Sequence, residues 1–194
     1  MMEKNNITVS SVGYIDEGRY STRKNGKPAR VYSVWRRMIS RCYSKSTQKR
    51  QPSYVGCYVD KEWHSFQNFA EWFYRQPNSM EAGFELDKDL ILSGNKVYGP
   101  STCSFVPREV NRALVHRGNP VYDLPRGVTM FKGKYRASVF ENRKYRFLGD
   151  FDSLRDACIA YSEAKEMLVK NLANKFIGDI DVRVYKFLME WEAH

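Results

Sequence analysis

The sequence predicts an α+β fold: an N-terminal domain containing a ββα element, followed by a small three-stranded antiparallel sheet packed on a helix. Three observations carry that expectation. Apolar residues recur at helical spacing over 31–45 and again over 65–75. Residues 84–111 read FELDKDLILSGNKVYGPSTCSFVPREVN, an order of strand, turn, strand and short helix. Residues 125–176 alternate as three short strands and then change to a helical period. The division that follows is an N-terminal hairpin or basic arm over 1–30, a first domain over 31–117, a linker over 118–124, and a second domain with a C-terminal helix over 125–194.

Composition narrows the function classes. A hydrophobic content of 42% with 14% aromatics is enough for a packed core and excludes a disordered chain. Lys and Arg number 32 against 22 acids, a formal charge of +10, which favours a polyanion as partner, nucleic acid before an anionic membrane. No apolar run reaches the length of about 18 residues that a membrane span needs, and MMEKNNITVSS lacks the apolar core of a signal peptide. The expectation is a soluble, cytoplasmic protein. Cys42, Cys57, Cys103 and Cys158 are widely spaced with no C-x-x-C pair, so they read as buried thiols. A zinc site from Cys42, Cys57, Cys103 and His64 is the alternative, without the paired spacing that structural zinc usually shows.

Taken in order, the chain opens with an alternation at Ile7 and Val9, then DEGRYSTRKNGKPAR, where Asn25-Gly26 is a hairpin-turn signal. A small hairpin, a basic arm on DNA and an exposed loop all remain open for this stretch. Val31, Val34, Trp35, Met38, Ile39 and Cys42 then give a helix one apolar face. From Arg30 to Arg50 seven basic residues occur with no acid, including Arg36, Arg37 and Arg41. A solvated face usually mixes signs, so this run points to phosphate contact. Residues 54–60, YVGCYVD, read as a strand. Ser65 caps a second helix whose aromatic stripe, Phe66, Phe69, Trp72 and Phe73, reads as core.

The centre of the chain is 84–111. Phe84 and Leu86 lead into Asp87-Lys88-Asp89, Gly94-Asn95 marks a turn, Cys103 to Val106 form an apolar strand, and Pro107 opens a short helix carrying Asn111. The pattern LDKD, GNK-Y, C-F-V and N resembles the HNH-like core of phage homing-endonuclease-type proteins. WRRMISRCY, CYVDKEW and FQNFAEWF resemble the segment that precedes it there, so the resemblance covers about residues 31 to 111. It implies a ββα metal-nuclease hairpin with Asp87, Lys88 and Asn111 at the catalytic positions, and Mg²⁺ as cofactor if the protein is catalytic, otherwise none. Asp87 and Asn111 would be its ligands, and His116, which lies five residues past Asn111, is a further candidate or else a linker surface residue. Where HNH enzymes carry a histidine general base this sequence has Lys88, and a lysine ammonium, charged at neutral pH, cannot take a proton. Ser101-Thr102 also replace the usual second-strand asparagine.

Over 125–176 the strands KYRASVF and KYRFLGDF flank a turn at Glu141-Asn142, another turn falls at Lys132-Gly133, and Ser153 with Asp156 has the look of a capping box before a helix. Leu154, Ala157, Tyr161, Ala164, Leu168 and Leu172 give that helix its apolar face. The motifs GV, YRA, LG-F and A--AY--AKE resemble an AP2-type DNA-binding domain, which in phage proteins is often appended to an HNH-like core. Arg126, Lys132, Lys134, Arg136, Arg143, Lys144 and Arg146 stand in the sheet region with Glu141 as the sole acid from 126 to 146. Alternation puts Tyr135, Ala137 and Val139 on the helix side and Lys134 and Arg136 outward. The same reading puts Lys144 and Arg146 outward and Tyr145 and Phe147 inward. Arg136 and Arg146 are then the base-reading candidates, and Lys132, Lys134 and Lys144 the phosphate contacts. The tail beyond Gly178 has helical spacing at Val182, Tyr185 and Leu188; it packs on this module or forms a self-association surface, leaving the oligomeric state open, a homodimer included.

Together these readings lead to sequence-specific binding of double-stranded DNA by a phage or mobile-element protein acting in a bacterial host, with weak or absent cleavage and a transcriptional repressor as one use. The alternative is an active Mg²⁺-dependent homing endonuclease. A structural or protein-binding role without DNA is the third reading.

Overall fold

The computed structural model describes residues 7–92, 94–114, 124–141 and 143–193. It is a mixed α+β protein of small sheets and six α-helices among those residues. Two compact units divide the chain: Met1–Val106 with Asp179–Asp181, and Pro107–Gly178 with Val182–His194. Among the described residues no helix is long and apolar enough to cross a membrane.

The first unit begins with two short antiparallel hairpins. β1 (Ile7–Val9) pairs with β2 (Gly13–Ile15), and β3 (Arg23–Lys24) with β4 (Lys27–Pro28). Asn25 and Gly26 make the second turn with φ of 52° and 73°, the left-handed pair that a two-residue hairpin requires. Next come α1 (Arg30–Tyr43) and α2 (Lys45–Arg50). Ser44 separates them: its extended backbone ends α1, and its hydroxyl accepts the Thr47 N–H to cap α2. The expected strand over 54–60 shrinks to β5 (Tyr58–Val59), because Pro52–Tyr54 form a 3-10 turn instead. A second such turn, Lys61–His64, leads into α3 (Phe66–Arg75), where the Ser65 hydroxyl caps through the Asn68 N–H.

Buried Trp35, Trp63, Phe66, Phe69 and Phe73 form the centre of this unit's core. Trp63 and Phe69 meet edge to face at 5.1 Å between ring centroids, as do Phe73 and Phe105 at 5.2 Å. The Trp35 indole N–H donates to the Trp63 carbonyl at 2.8 Å, whereas the buried Trp63 indole N–H has no partner among the described residues. β6 (Phe84–Asp87) pairs with β8 (Ser104–Pro107), and between them β7 (Val97–Tyr98) pairs in parallel with β5.

In the second unit α4 (Arg108–Leu114) starts directly after Pro107. β9 (Val128–Phe131), β10 (Lys134–Glu141) and β11 (Lys144–Phe151) form one antiparallel sheet with β10 in the middle. Lys132 and Gly133, with φ of 49° and 80°, close the first hairpin as expected. α5 (Leu154–Lys175) packs its Ala157 and Leu154 on Val128, Ala137, Tyr135 and Phe151. Gly127 is forced here: a Cβ at its position would stand 2.0 Å from the Tyr161 ring, and its φ is 71°. Ser153 precedes α5 but its side chain makes no capping bond, so the capping box is not formed. α6 (Val182–Glu190) buries Val184 and Leu188, and Tyr185 donates from its hydroxyl to Asn174 of α5 at 3.0 Å. Of the sequence's two expectations for the tail, packing on its own module is the one seen.

The sheet departs from the expected alternation at one point. The register moves from Ala137 opposite Gly149 to Ser138 opposite Phe147, so Leu148 is an extra residue in β11. That bulge inverts the phase of the rest of the strand. Phe140 faces Tyr145 across the ladder, and Val139 faces Arg146. Val139 is buried while Tyr145 is 76% and Phe147 58% exposed. The outward set on β11 is therefore Tyr145 and Phe147, and Arg146 shares the phase of the buried Val139, a correction to the expected placement of Lys144 and Arg146.

Candidate nucleic-acid interface

Three groups of residues singled out by the sequence have distinct surroundings. In the first, the Asp87–Tyr98 segment, the charges are turned inward. The Asp87 carboxylate accepts the backbone N–H of Asp89 at 2.8 Å and of Leu90 at 3.0 Å through one oxygen, closing a turn after β6. Burial pushes its carboxyl above the ordinary value, against the two amide bonds that favour the charged form. Lys88 is buried, 6% exposed, and donates to the Asp89 carboxylate and to the Asn95 carbonyl, the latter at 2.7 Å. Asn95 answers by donating to the carbonyls of Lys88 and Val97, each at 2.7 Å, and accepting the Val97 N–H at 3.0 Å. Asp87, Lys88 and Asn95 thus hold one loop shut.

Among the described residues no group of three or more His, Cys, Asp or Glu stands together, and the ammonium of Lys88 is bonded to the neighbouring Asp89 carboxylate. Asn111 lies on α4, in the second unit, while Asp87 belongs to the first. His116 lies outside the described residues. The four cysteines are free thiols, and burial raises those of Cys42 and Cys103 to about 12, as expected of small buried hydrophobes. His64 lies with Nε2 3.1 Å from the Val59 carbonyl and its ring edge-on to Tyr43, a structural position.

The second group is the basic run of α1 and α2, and it behaves in the opposite way. Arg36, Arg37, Ser40 and Arg41 from α1, Thr47 and Arg50 from α2, and Gln51 and Val9 line one open groove of about 570 Å³. Four guanidinium groups share it and no acid does. Spacings of four place Arg36 above Ser40 and Arg37 above Arg41 on one side of α1. The break at Ser44 turns α2 so that Thr47 and Arg50 close the groove. Arg36 and Arg37 are exposed and make no hydrogen bond or ion pair to a described residue. Arg41 differs: its guanidinium lies 5.2 Å from the Tyr54 ring centroid, so it forms part of the groove wall. Arg30 is turned away altogether, donating to the carbonyls of Ser79 at 2.6 Å and Phe84 at 2.7 Å.

The third group is the open face of the β9–β10–β11 sheet. Arg136 makes a two-pronged bond to Asp150, 2.7 and 2.8 Å, which holds the Asp150 carboxyl below its usual value. Its guanidinium also lies 3.6 Å from the centroid of Phe131 and 5.1 Å from that of Phe147. Lys134 on this face is paired with Asp152 at 3.1 Å, and Arg146, in the other phase, with Glu141 at 3.1 Å. Lys132 lies over the Phe131 ring at 5.4 Å. Arg126, Arg143 and Lys144 are exposed. Arg136 has its fork bound to Asp150, while Arg146 engages Glu141 through Nε alone.

Sequence reasoning missed Ser40, Thr47 and Gln51 in the groove and the exposed aromatics of the sheet. The first could have been found from the i, i+4 spacing around Arg36 and Arg37. The second was hidden by the bulge, whose only trace in the sequence is Gly149 within a strand. Comparison of the chain with protein-family models, with curated proteins and with solved structures gives no significant match.

Proposed function

We propose that this is a DNA-binding protein that grips the duplex by its phosphates through the arginine groove of the first unit. The observation that carries the reading is four arginines on one groove with no acid among its lining residues. Like charges held this close repel, and a bound polyanion relieves the repulsion. A guanidinium fork matches two phosphate oxygens at once, while the hydroxyls of Ser40 and Thr47 and the amide of Gln51 can complete a phosphate's hydrogen bonds without adding charge. The formal charge of +10 and the likeness to phage HNH-like proteins with an AP2-type domain point the same way.

Binding without efficient cleavage is the form of the proposal that the residues favour. Lys88 donates all its described bonds to loop acceptors, and the oxygen of Asp87 that bonds is occupied by two backbone amides. A repressor-like role on an operator follows naturally, with sequence preference arising from the shape and stiffness of the duplex as well as from bases. The test is a footprinting and nicking assay on DNA from the gene's own neighbourhood, with and without Mg²⁺ or Mn²⁺. Salt-sensitive protection with intact strands is expected. Strand breaks that need the metal and vanish in Asp87→Ala would establish the endonuclease instead, and salt-independent or absent DNA binding would refute the whole reading.

A further inference from the structure

We infer that the open face of the β9–β10–β11 sheet is a stacking platform for unpaired bases of single-stranded DNA, a ligand different from the duplex assigned to the groove. The inference shares the nucleic-acid reading but stands on other residues. Phe131, Phe140, Tyr145 and Phe147 are 40%, 53%, 76% and 58% exposed, all on the side of the sheet away from α5. An apolar cluster of that size in water calls for a partner. Phe140 and Tyr145 sit edge to face at 5.0 Å, and Phe131 and Phe147 flank the guanidinium of Arg136. Tyr145 and Phe147 are alternate residues of one strand, about 6.6 Å apart at a rise of about 3.3 Å each, room for one base per ring.

The chemistry favours unpaired over paired bases. The guanidinium of Arg136 has its fork bound to Asp150 and its planes covered by rings, so it is poorly placed to reach guanine edges in a major groove. Aromatic rings, by contrast, recognise the flat face of any base, which a duplex hides in its stack. Lys132 and Arg143 at the turns of the same hairpins are exposed and supply the positive rim that a strand's phosphates need, which a protein partner of ordinary surface would not match.

The experiment uses the full chain and fluorescein-labelled oligothymidylate, beside a duplex of equal length and an oligouridylate, read by anisotropy. Tyr145→Ala with Phe147→Ala should weaken oligothymidylate binding roughly tenfold or more while changing duplex affinity less than about twofold. Tyr145→Phe should bind as the parent does. Arg36→Ala with Arg37→Ala should show the reverse pattern, so that failure of the platform and failure of the groove are told apart. Because the mutated rings are exposed, the variants should keep the parent's circular dichroism and melting curve, and Phe140→Ala gives a second, independent reading of the same face. Unchanged oligothymidylate affinity in both aromatic variants overturns the inference. So does an equal loss on duplex and single strand, a clear preference for the uridylate, or a shift from dimer to monomer in sedimentation with single-strand binding intact.

Discussion

The Asp87–Tyr98 loop and the α1–α2 groove are both polar, both in the first unit, and both conspicuous in the sequence, yet their charges serve different ends. In the loop Lys88 is 6% exposed and its ammonium bonds to Asp89 and Asn95. In the groove Arg36 and Arg37 stand in solvent with no described partner. A buried charge whose bonds are all made within the chain maintains shape, because any ligand would have to break those bonds first. A cluster of like charges left unpaired at the surface has its electrostatic energy still to be released, and a polyanion releases it. In the charged motif that stands out most in the sequence the lysine is buried and bonded within the chain, whereas the plain basic run leaves Arg36 and Arg37 open to a ligand.

Mutations can break or sharpen this contrast. The largest expected effect is from Asn95→Ala, which removes three hydrogen bonds and strands the Lys88 carbonyl and the Val97 N–H, while the Val97 carbonyl keeps its bond from Thr102. It should lower stability by about 2–4 kcal/mol in urea unfolding, with DNA affinity per folded molecule unchanged. Normal stability with lost binding would make the loop a ligand site and erase the contrast.

Asp87 comes next. Asp87→Ala loses the two-amide turn and should cost about 1–2 kcal/mol. Asp87→Asn keeps an accepting oxygen there and sheds a partly desolvated charge, so it should be as stable as the parent or slightly more so. Its pH dependence follows from the raised carboxyl: the penalty on the folded state is absent below the ordinary carboxylate range. It sets in as pH rises through that range toward the raised folded value, and is full above it. Stability contributed by this site should therefore increase on mild acidification, and Asp87→Asn should remove that component. A pH profile of unfolding identical in parent and Asn variant would show that the carboxyl is not perturbed as stated.

The smallest stability effect belongs to Arg36→Ala or Arg37→Ala, each within about 0.5 kcal/mol of the parent. Each should nevertheless weaken duplex binding several-fold. A substantial loss of stability would mean that these arginines are packed as Arg30 and Arg41 are.

Much of the fold was legible. The Ser65 cap and the aromatic stripe after it mark α3, Asn25-Gly26 and Lys132-Gly133 mark their hairpins, and YRA and LG-F mark β10 and β11 to within a residue or two. These are local signals, set by backbone sterics and side-chain period. What escaped is decided by non-local packing. A single extra residue, Leu148, turns Tyr145 and Phe147 outward and Arg146 to the other face, and alternation alone cannot see a bulge. Nor does a string of arginines reveal that Arg30 is tied to Ser79 and Phe84, or that Arg41 lies on Tyr54, since those partners come from distant parts of the chain. For the same reason the LDKD motif could be recognised as a pattern without disclosing that its lysine is buried.

The most direct test of the central claim is the slope of log affinity against log salt for one duplex, measured for the parent and for Arg36→Ala/Arg37→Ala/Arg50→Ala. Each phosphate contact removed should take about 0.9 from the slope. The account predicts a slope shallower by about 2–3 in the triple variant, with its thermal unfolding curve unmoved. A slope equal to the parent's, in a variant that folds normally, would contradict it.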